Sequence, residues 1–286
     1  MKIAIASGKG GTGKTLLSVN LAKYLSDSHK VVLADLDVEE PNSGLFLSGE
    51  LISREDKHRM IPQWIPEPCT LCRECQNNCN FNAIIQAKDK IMVFPQLCHS
   101  CYACADLCPE NALTMVPIKM GVLSRYKIDN LCFVEARLNI GEEMATPMIA
   151  QTIDYLDKNF SNDYVQILDS PPGTSCPVIE AVKKADFVIL VTEPTPFGFH
   201  DLRLAVETMR KLDKHFGVVI NRFDLGNDDV ENYCSQENIP IISRIANDRK
   251  IAELYSSGQL IFDKVQHFGK AITEITDFLM SKNLLK

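Results

Sequence analysis

Apolar residues fall in short continuous runs separated by stretches of helical period. Lys2–Ala6, Val31–Ala34, Val165–Leu168, Phe187–Val191, Val218–Ile220 and Ile239–Ile242 are such runs. Runs without alternation suit parallel strands buried on both faces. Between them, 13–26, Ser175–Lys184, His200–Lys214, Asp228–Gln236 and Asp248–Ser256 read as helices, the first with Leu16, Leu17, Val19, Leu21 and Leu25 on its apolar face. A last amphipathic helix is predicted over His267–Leu285, with Ile272, Ile275, Phe278 and Leu279 on one side. Strand alternating with helix predicts an α/β fold, a doubly wound, mostly parallel sheet that takes ligands at the carboxyl ends of its strands.

The rhythm breaks between residues 61 and 117. Pro62, Pro66 and Pro68 open this segment, a boundary signature. It also holds an internal repeat at an offset of 29 residues: Cys69/Cys98, Cys72/Cys101, Cys75/Cys104, Cys79/Cys108, Asn82/Asn111 and Ala83/Ala112. Residues 120–140 read as a hairpin or linker returning to the main sheet, and Asn159–Asp163 closes a helix before the next core strand. The expected organisation is a discontinuous domain, 1–60 and 118–286, carrying a small α+β insert at 61–117.

At 286 residues the chain can form both. Its formal net charge of −7 argues against nucleic acid or an anionic membrane as the main partner. The first residues, MKIAIASGKGG, form a strand running into a glycine-rich turn and lack a signal-peptide pattern. No run of eighteen apolar residues occurs, so no membrane span is expected and the location implied is cytoplasmic. In that setting eleven cysteines point to metal rather than disulfides.

Eight of those cysteines form C-x2-C-x2-C-x3-C twice, the second copy followed by Pro109. This is the ligand run of a bacterial-type ferredoxin with two 4Fe–4S clusters, in which the fourth cysteine serves the other cluster. Cys69, Cys72, Cys75 and Cys108 are therefore expected to hold one cluster, and Cys79, Cys98, Cys101 and Cys104 the other. Four-cysteine zinc is the rival, but zinc knuckles space two C-x2-C pairs around a longer loop. Asn80 replaces the usual proline, and Arg73 and Tyr102 stand where many ferredoxins have glycine. Trp64 reads as a packing residue at the insert boundary, and Cys234 as a small buried hydrophobe.

Gly8-Lys9-Gly10-Gly11-Thr12-Gly13-Lys14-Thr15 fits G-x-x-x-x-G-K-S/T between a strand and a helix. Its backbone N–H groups would cradle phosphate, Lys14 would reach the β- and γ-phosphates, and the Thr15 hydroxyl would ligate Mg2+. With Lys9 the loop resembles the deviant Walker A group, which includes MinD, ParA, the arsenite and tail-anchored-protein ATPases and the nitrogenase iron protein. DLDVEEPN, DSPPGTSCPV and VVINRFD follow in that superfamily's order. The resemblance covers nearly the whole chain and implies ATP hydrolysis in a homodimer sandwiched over two nucleotides. It implies that Lys9 reaches the partner's phosphates and that Asp37 orients or activates the attacking water. Asp35 and Asp169 would support Mg2+, Gly173 would sense the γ-phosphate, and Asn221 with Arg222 would lie at the adenine.

Cys176 lies seven residues after Asp169, the offset of a dimer-bridging cluster ligand in the nitrogenase iron protein. It is kept as an extra candidate ligand, with Cys132 the nearby second cysteine. The late C-x-x-C pair of Mrp-type iron–sulfur carriers is absent from the sequence. Three functions are consistent with these motifs: an ATPase coupled to electron transfer with a redox partner protein, an iron–sulfur carrier or assembly ATPase, and a MinD-like positioning ATPase that docks through the insert.

Overall fold

A computed structural model describes residues 1–285. Its strands are β1 (Lys2–Ala6), β2 (Lys30–Asp35), β3 (Glu50–Trp64), β4 (Ile84–Ala87), β5 (Lys90–Val93), β6 (Leu113–Ile128), β7 (Leu131–Leu138), β8 (Tyr164–Asp169), β9 (Phe187–Thr192), β10 (Phe216–Asn221) and β11 (Ile241–Ile245). Its helices are α1 (Lys14–Leu25), α2 (Glu74–Asn77), α3 (Ala103–Asp106), α4 (Ala145–Asn159), α5 (Cys176–Val182), α6 (Pro196–Lys211), α7 (Asp229–Gln236), α8 (Arg249–Ser256) and α9 (Gln266–Ser281). Nine strands form one sheet in the order β11-β10-β9-β1-β8-β2-β7-β6-β3. The strands flanking β1, β2, β8, β9 and β10 pair in parallel, as the continuous apolar runs require.

The chain divides into two compact units. One comprises Met1–Glu55, Leu123–Arg137 and the chain from Ile149 onward; the other comprises Asp56–Val122 and Leu138–Met148. In the first, α1 and α9 cover one face of the sheet. Phe268, Ile272, Ile275 and Leu279 of α9 are fully buried with Ile3, Leu33, Ile167 and Ile189. Each such side chain contributes about 1.5–3 kcal/mol by leaving water. Asn20, buried on α1, donates to Leu16 O and accepts from the Ile261 and Phe262 amides, so its burial leaves no polar group unpaired.

Residues 120–140, a hairpin or linker by sequence, are largely two strands of the main sheet, β6 and β7, joined by the turn Asp129–Asn130. Strand β3 has no counterpart in the sequence reading. It carries a central run of charged residues and is mostly exposed, because it ends the strand order and packs little apolar surface. Charges and a proline on such an edge also discourage pairing with another chain.

The second unit has its own small core of Cys75, Ile84, Ile91, Cys104 and Leu113, with Trp64, Leu71 and Val93 packed against it. Strands β4 and β5 form a two-stranded antiparallel sheet. The repeat is expressed as a reciprocal pair of backbone bonds, Ile65 N–H to Ala112 O and Phe94 N–H to Ala83 O, both 2.8 Å. Leu138–Met148 is tied to this unit by the Asn139 N–H to Met120 O at 2.9 Å and by Arg59, only 4 % exposed, which pairs with Glu142 at 2.9 Å. The same guanidinium donates to Cys98 O at 3.1 Å and Pro95 O at 3.0 Å.

Candidate functional site

Register explains why the first site forms where it does. Ile5 pairs with Asp169, and Asp169 with Asp35, so the ends of β1, β8 and β2 lie in one row. The glycine-rich loop leaves β1 at this edge and enters α1. Gly13 caps α1 at φ 100°, a conformation that favours glycine, and a Cβ there would lie 2.6 Å from Asn221 Nδ2. Gly8 is required by crowding: its Cβ would lie 2.3 Å from Asp201 O.

Beside the loop is a cleft of about 1140 Å3, counting its open mouth, lined by Gly13, Lys14, Thr15, Asp37, Asn221 and Tyr255 among others. Lys14 is buried, and burial lowers its pKa against the attraction of Asp169, Asp37 and Asp35. Asp35 and Asp169 are both buried, and desolvation raises the pKa of each; the Asp169 charge raises Asp35 further. Burial also pushes Asp37 up to about 6. Thr12 Oγ1 and Asn42 Oδ1 are buried with no hydrogen-bond partner among the described residues. Hard oxygen donors, a buried ammonium and orphaned polar atoms fit a magnesium-bound polyphosphate, which would pair the lysine and the carboxylates at once.

The carboxylates divide their tasks. Asp35 accepts the backbone N–H groups of Asp37 at 3.1 Å, Asn42 at 3.0 Å and Ser43 at 2.9 Å, so it anchors the loop after β2. Asp169 accepts hydroxyls from Ser18 at 2.9 Å and Ser43 at 3.2 Å, and from Thr15. Ser18 and Ser43 carry no motif, and the sequence reading missed them. Gly173 follows β8 at φ 100° and donates its N–H to Ser7 O at 3.0 Å, tying that turn to the loop. Asn221 Nδ2 donates to Thr12 O at 2.8 Å, so this side chain braces the loop as well as lining the cleft. Lys9 turns to Glu193, 3.6 Å away, and Arg222 pairs with the same carboxylate at 2.8 Å. Glu193 is a further residue without a sequence signal.

The second unit places its eight cysteines around two cavities, each of about 340 Å3 counting the mouth. Cys69, Cys72, Cys75 and Cys108 line one, and Cys79, Cys98, Cys101 and Cys104 the other. Backbone strain repeats with the same offset. Leu71 and Ser100, Arg73 and Tyr102, and Asn82 and Asn111 all have φ between 51° and 70°. Each costs about 1–2 kcal/mol in a non-glycine residue, and the αL geometry explains why glycine is common where Arg73 and Tyr102 stand. Ala83 N–H donates to Cys79 Sγ at 3.3 Å and Ala112 N–H to Cys108 Sγ at 3.2 Å. Burial raises the Cys75 thiol, and it pushes Cys104 up to about 11 with help from Cys98, Cys101 and Cys79. Among the described residues no three His, Cys, Asp or Glu side chains already converge as a single-ion site. Four soft sulfurs spread around each cavity, with an N–H donor to one of them, fit a multi-iron cluster better than one tetrahedral ion.

Of the other cysteines, Cys176 is exposed at the start of α5. Cys132 is half-buried on β7, 3.9 Å from an Arg125 nitrogen. Cys234 is buried in α7, where desolvation pushes it up to about 11. No described helix is long and apolar enough to cross a membrane.

A parallel sheet, a glycine-rich loop opening α1 and acidic strand ends beside the loop define a P-loop nucleotide-binding protein. The chain belongs to the CobQ/CobB/MinD/ParA nucleotide-binding domain family, whose model matches residues 3–261. An uncharacterised protein of Methanocaldococcus jannaschii is 31% identical over 283 residues, 98% of both chains. The iron–sulfur cluster carrier protein of Pyrococcus horikoshii is 23% identical over 303 residues, 98% of this chain and 86% of that one. In fold, the chain is similar to the septum site-determining protein MinD of Pyrococcus horikoshii solved with Mg-ADP. The TM-score is 0.60 at 19% identity, covering 97% of this chain and 95% of that one.

Proposed function

We propose that the chain is an ATP-hydrolysing iron–sulfur protein whose nucleotide-dependent switch and dimer cycle is coupled to electron transfer through two 4Fe–4S clusters. The observation that carries the reading is the division of eight cysteines into two cavities, each taking three from one run and the fourth from the other. That is the donor set of a two-cluster ferredoxin. Bound clusters supply one-electron redox chemistry.

For nucleotide, Lys14 neutralises phosphate charge, and the loop's N–H groups orient the phosphates in line for displacement. Thr15 and Asp169 would hold Mg2+, with Asp35 fixing the loop that carries Asp37. Burial places Asp37 near the pH at which a carboxylate can accept a proton from water. Lys9 is turned away from its own cleft toward Glu193, which suits a lysine that completes the site of a second copy. The cysteine segment enters the sequence between Asn42 and Asp169, and β3 begins soon after Ser43. Closure of residues 37–42 on nucleotide is the step we assign to coupling.

Similarity to the Pyrococcus horikoshii carrier favours a second reading, a cluster carrier or assembly ATPase. One cysteine at each cavity, Cys72 and Cys101, is exposed, as release requires. One anaerobic preparation separates the readings. Coupling predicts about eight irons per chain, and a cluster midpoint or re-oxidation rate that changes with ATP and not in Lys9→Ala. Transfer of the iron to an apo-ferredoxin, with no nucleotide effect on potential, supports the carrier. Iron near zero with stoichiometric zinc overturns both.

A further inference from the structure

The two cysteine cavities are built from repeated positions, yet they are not alike. Under the 29-residue offset, Arg73, Glu74 and Glu110 at the first cavity correspond to Tyr102, Ala103 and Phe81 at the second. Trp64 lines the first cavity; its counterpart is Val93, which does not line the second. The Trp64 indole Nε1 is buried and has no hydrogen-bond partner among the described residues. A buried N–H without an acceptor costs about 1–3 kcal/mol, so a tryptophan serving only as packing would be a poor choice here. Phenylalanine would bury a similar ring without that cost. The lining of the second cavity, Pro62, Phe81, His99, Tyr102 and Met115 among others, includes none of the orphaned buried polar atoms.

We propose that the Trp64 indole N–H is a hydrogen-bond donor to sulfur of the cluster held by Cys69, Cys72, Cys75 and Cys108, and that it makes this cluster easier to reduce than its repeat-related twin. The inference rests on the two-cluster reading above. Reduction adds one electron to the cluster from a one-electron donor such as dithionite. No covalent bond forms or breaks, and the indole keeps its proton. A donor to sulfur stabilises the added negative charge, so it favours the reduced form. The position equivalent to Trp64 is Val93, which has no N–H to offer from its side chain, so the pair carries a built-in direction: electrons settle on the cluster beside Trp64. Trp64 acts here as a tuning residue and does not ligate iron.

The test is an EPR-monitored potentiometric titration of the holoprotein and of Trp64→Phe. Iron and sulfide content should match in both. One of the two reduction equilibria should become roughly threefold to tenfold less favourable, and tenfold corresponds to about 59 mV for one electron. The other should not move. Two unchanged midpoints with full iron content overturn the proposal while leaving the two-cluster reading intact. Wild-type protein without iron removes that reading instead. If Trp64→Phe fails to retain iron, wild-type protein with 15N-labelled indole decides, since Trp64 is the sole tryptophan. Pulsed EPR of the reduced protein should then show 15N coupling to one cluster spin, and its absence from both refutes the donor assignment.

Discussion

Arg59→Met tests how the cysteine-bearing unit is held together. Arg59 is nearly fully buried and makes three contacts: Nε with Glu142 at 2.9 Å, Nη1 with Cys98 O at 3.1 Å and Nη2 with Pro95 O at 3.0 Å. Methionine keeps the aliphatic bulk and removes every donor. Glu142, whose side chain is 11% exposed, then becomes a nearly buried charge without its guanidinium. Breaking a buried pair in this way costs about 3–5 kcal/mol. Each carbonyl left without a donor adds about 1–3 kcal/mol where water cannot reach it. Relaxation and water entry reduce that sum, so about 4 kcal/mol is expected, a large part of the roughly 5–15 kcal/mol that holds a domain folded. Trp64 lies in this unit, and its fluorescence in urea reports the loss locally. Glu142→Gln keeps an acceptor for Nε and should lose less than half as much. Because the guanidinium holds the Cys98 carbonyl, iron lost from Arg59→Met should leave first from the site of Cys98, Cys101, Cys104 and Cys79. A urea midpoint for Arg59→Met within error of wild type refutes the reasoning: the contacts would then be replaceable by water.

Three further outcomes follow from the same geometry. Lys14→Ala removes the buried ammonium beside three carboxylates and should abolish nucleotide binding by calorimetry, with iron content unchanged. Asn221→Ala removes the brace on Thr12 O; the lost buried bond should cost about 1–1.5 kcal/mol of stability, a fall of a few degrees in the thermal midpoint, and the loosened loop should bind ATP more weakly by calorimetry. Removing iron with a chelator under oxidation leaves four unligated cysteines at each cavity and six strained αL residues uncompensated; amide exchange across residues 69–111 should rise by orders of magnitude while β1, β8 and β9 stay protected.

The parallel strands and most of the helices were legible because continuous apolar runs and amphipathic stretches report burial directly. Helix α6 begins at Pro196, before the expected His200, because Thr195 caps it by accepting Gly198 N–H at 3.0 Å. Strand β3 was invisible for the opposite reason. Its central charged run, residues 54–59, leaves no two-residue period, and its partner in the sheet is distant in sequence. Leu138–Met148 groups with Asp56–Val122, where sequence placed it with the larger domain, since its ties are long-range: the Arg59–Glu142 ion pair and the bonds of Asn139 to Met120 O and Lys119 O.

Sequence by itself determined the chemistry available: a phosphate loop, acidic strand ends and two repeats of four thiols, each encoded by local spacing. Tertiary structure decided how those groups are used. Parallel register brings Asp35 and Asp169 side by side, and only folding shows that Asp35 is committed to the loop amides while Ser18 and Ser43 hold Asp169. Packing also breaks the symmetry that the repeat implies, because the residue lining a cavity need not come from the repeat that supplies its cysteines. Spacing fixes what a short segment can bind; long-range contacts, which spacing cannot encode, fix the burial and hydrogen bonding that tune it.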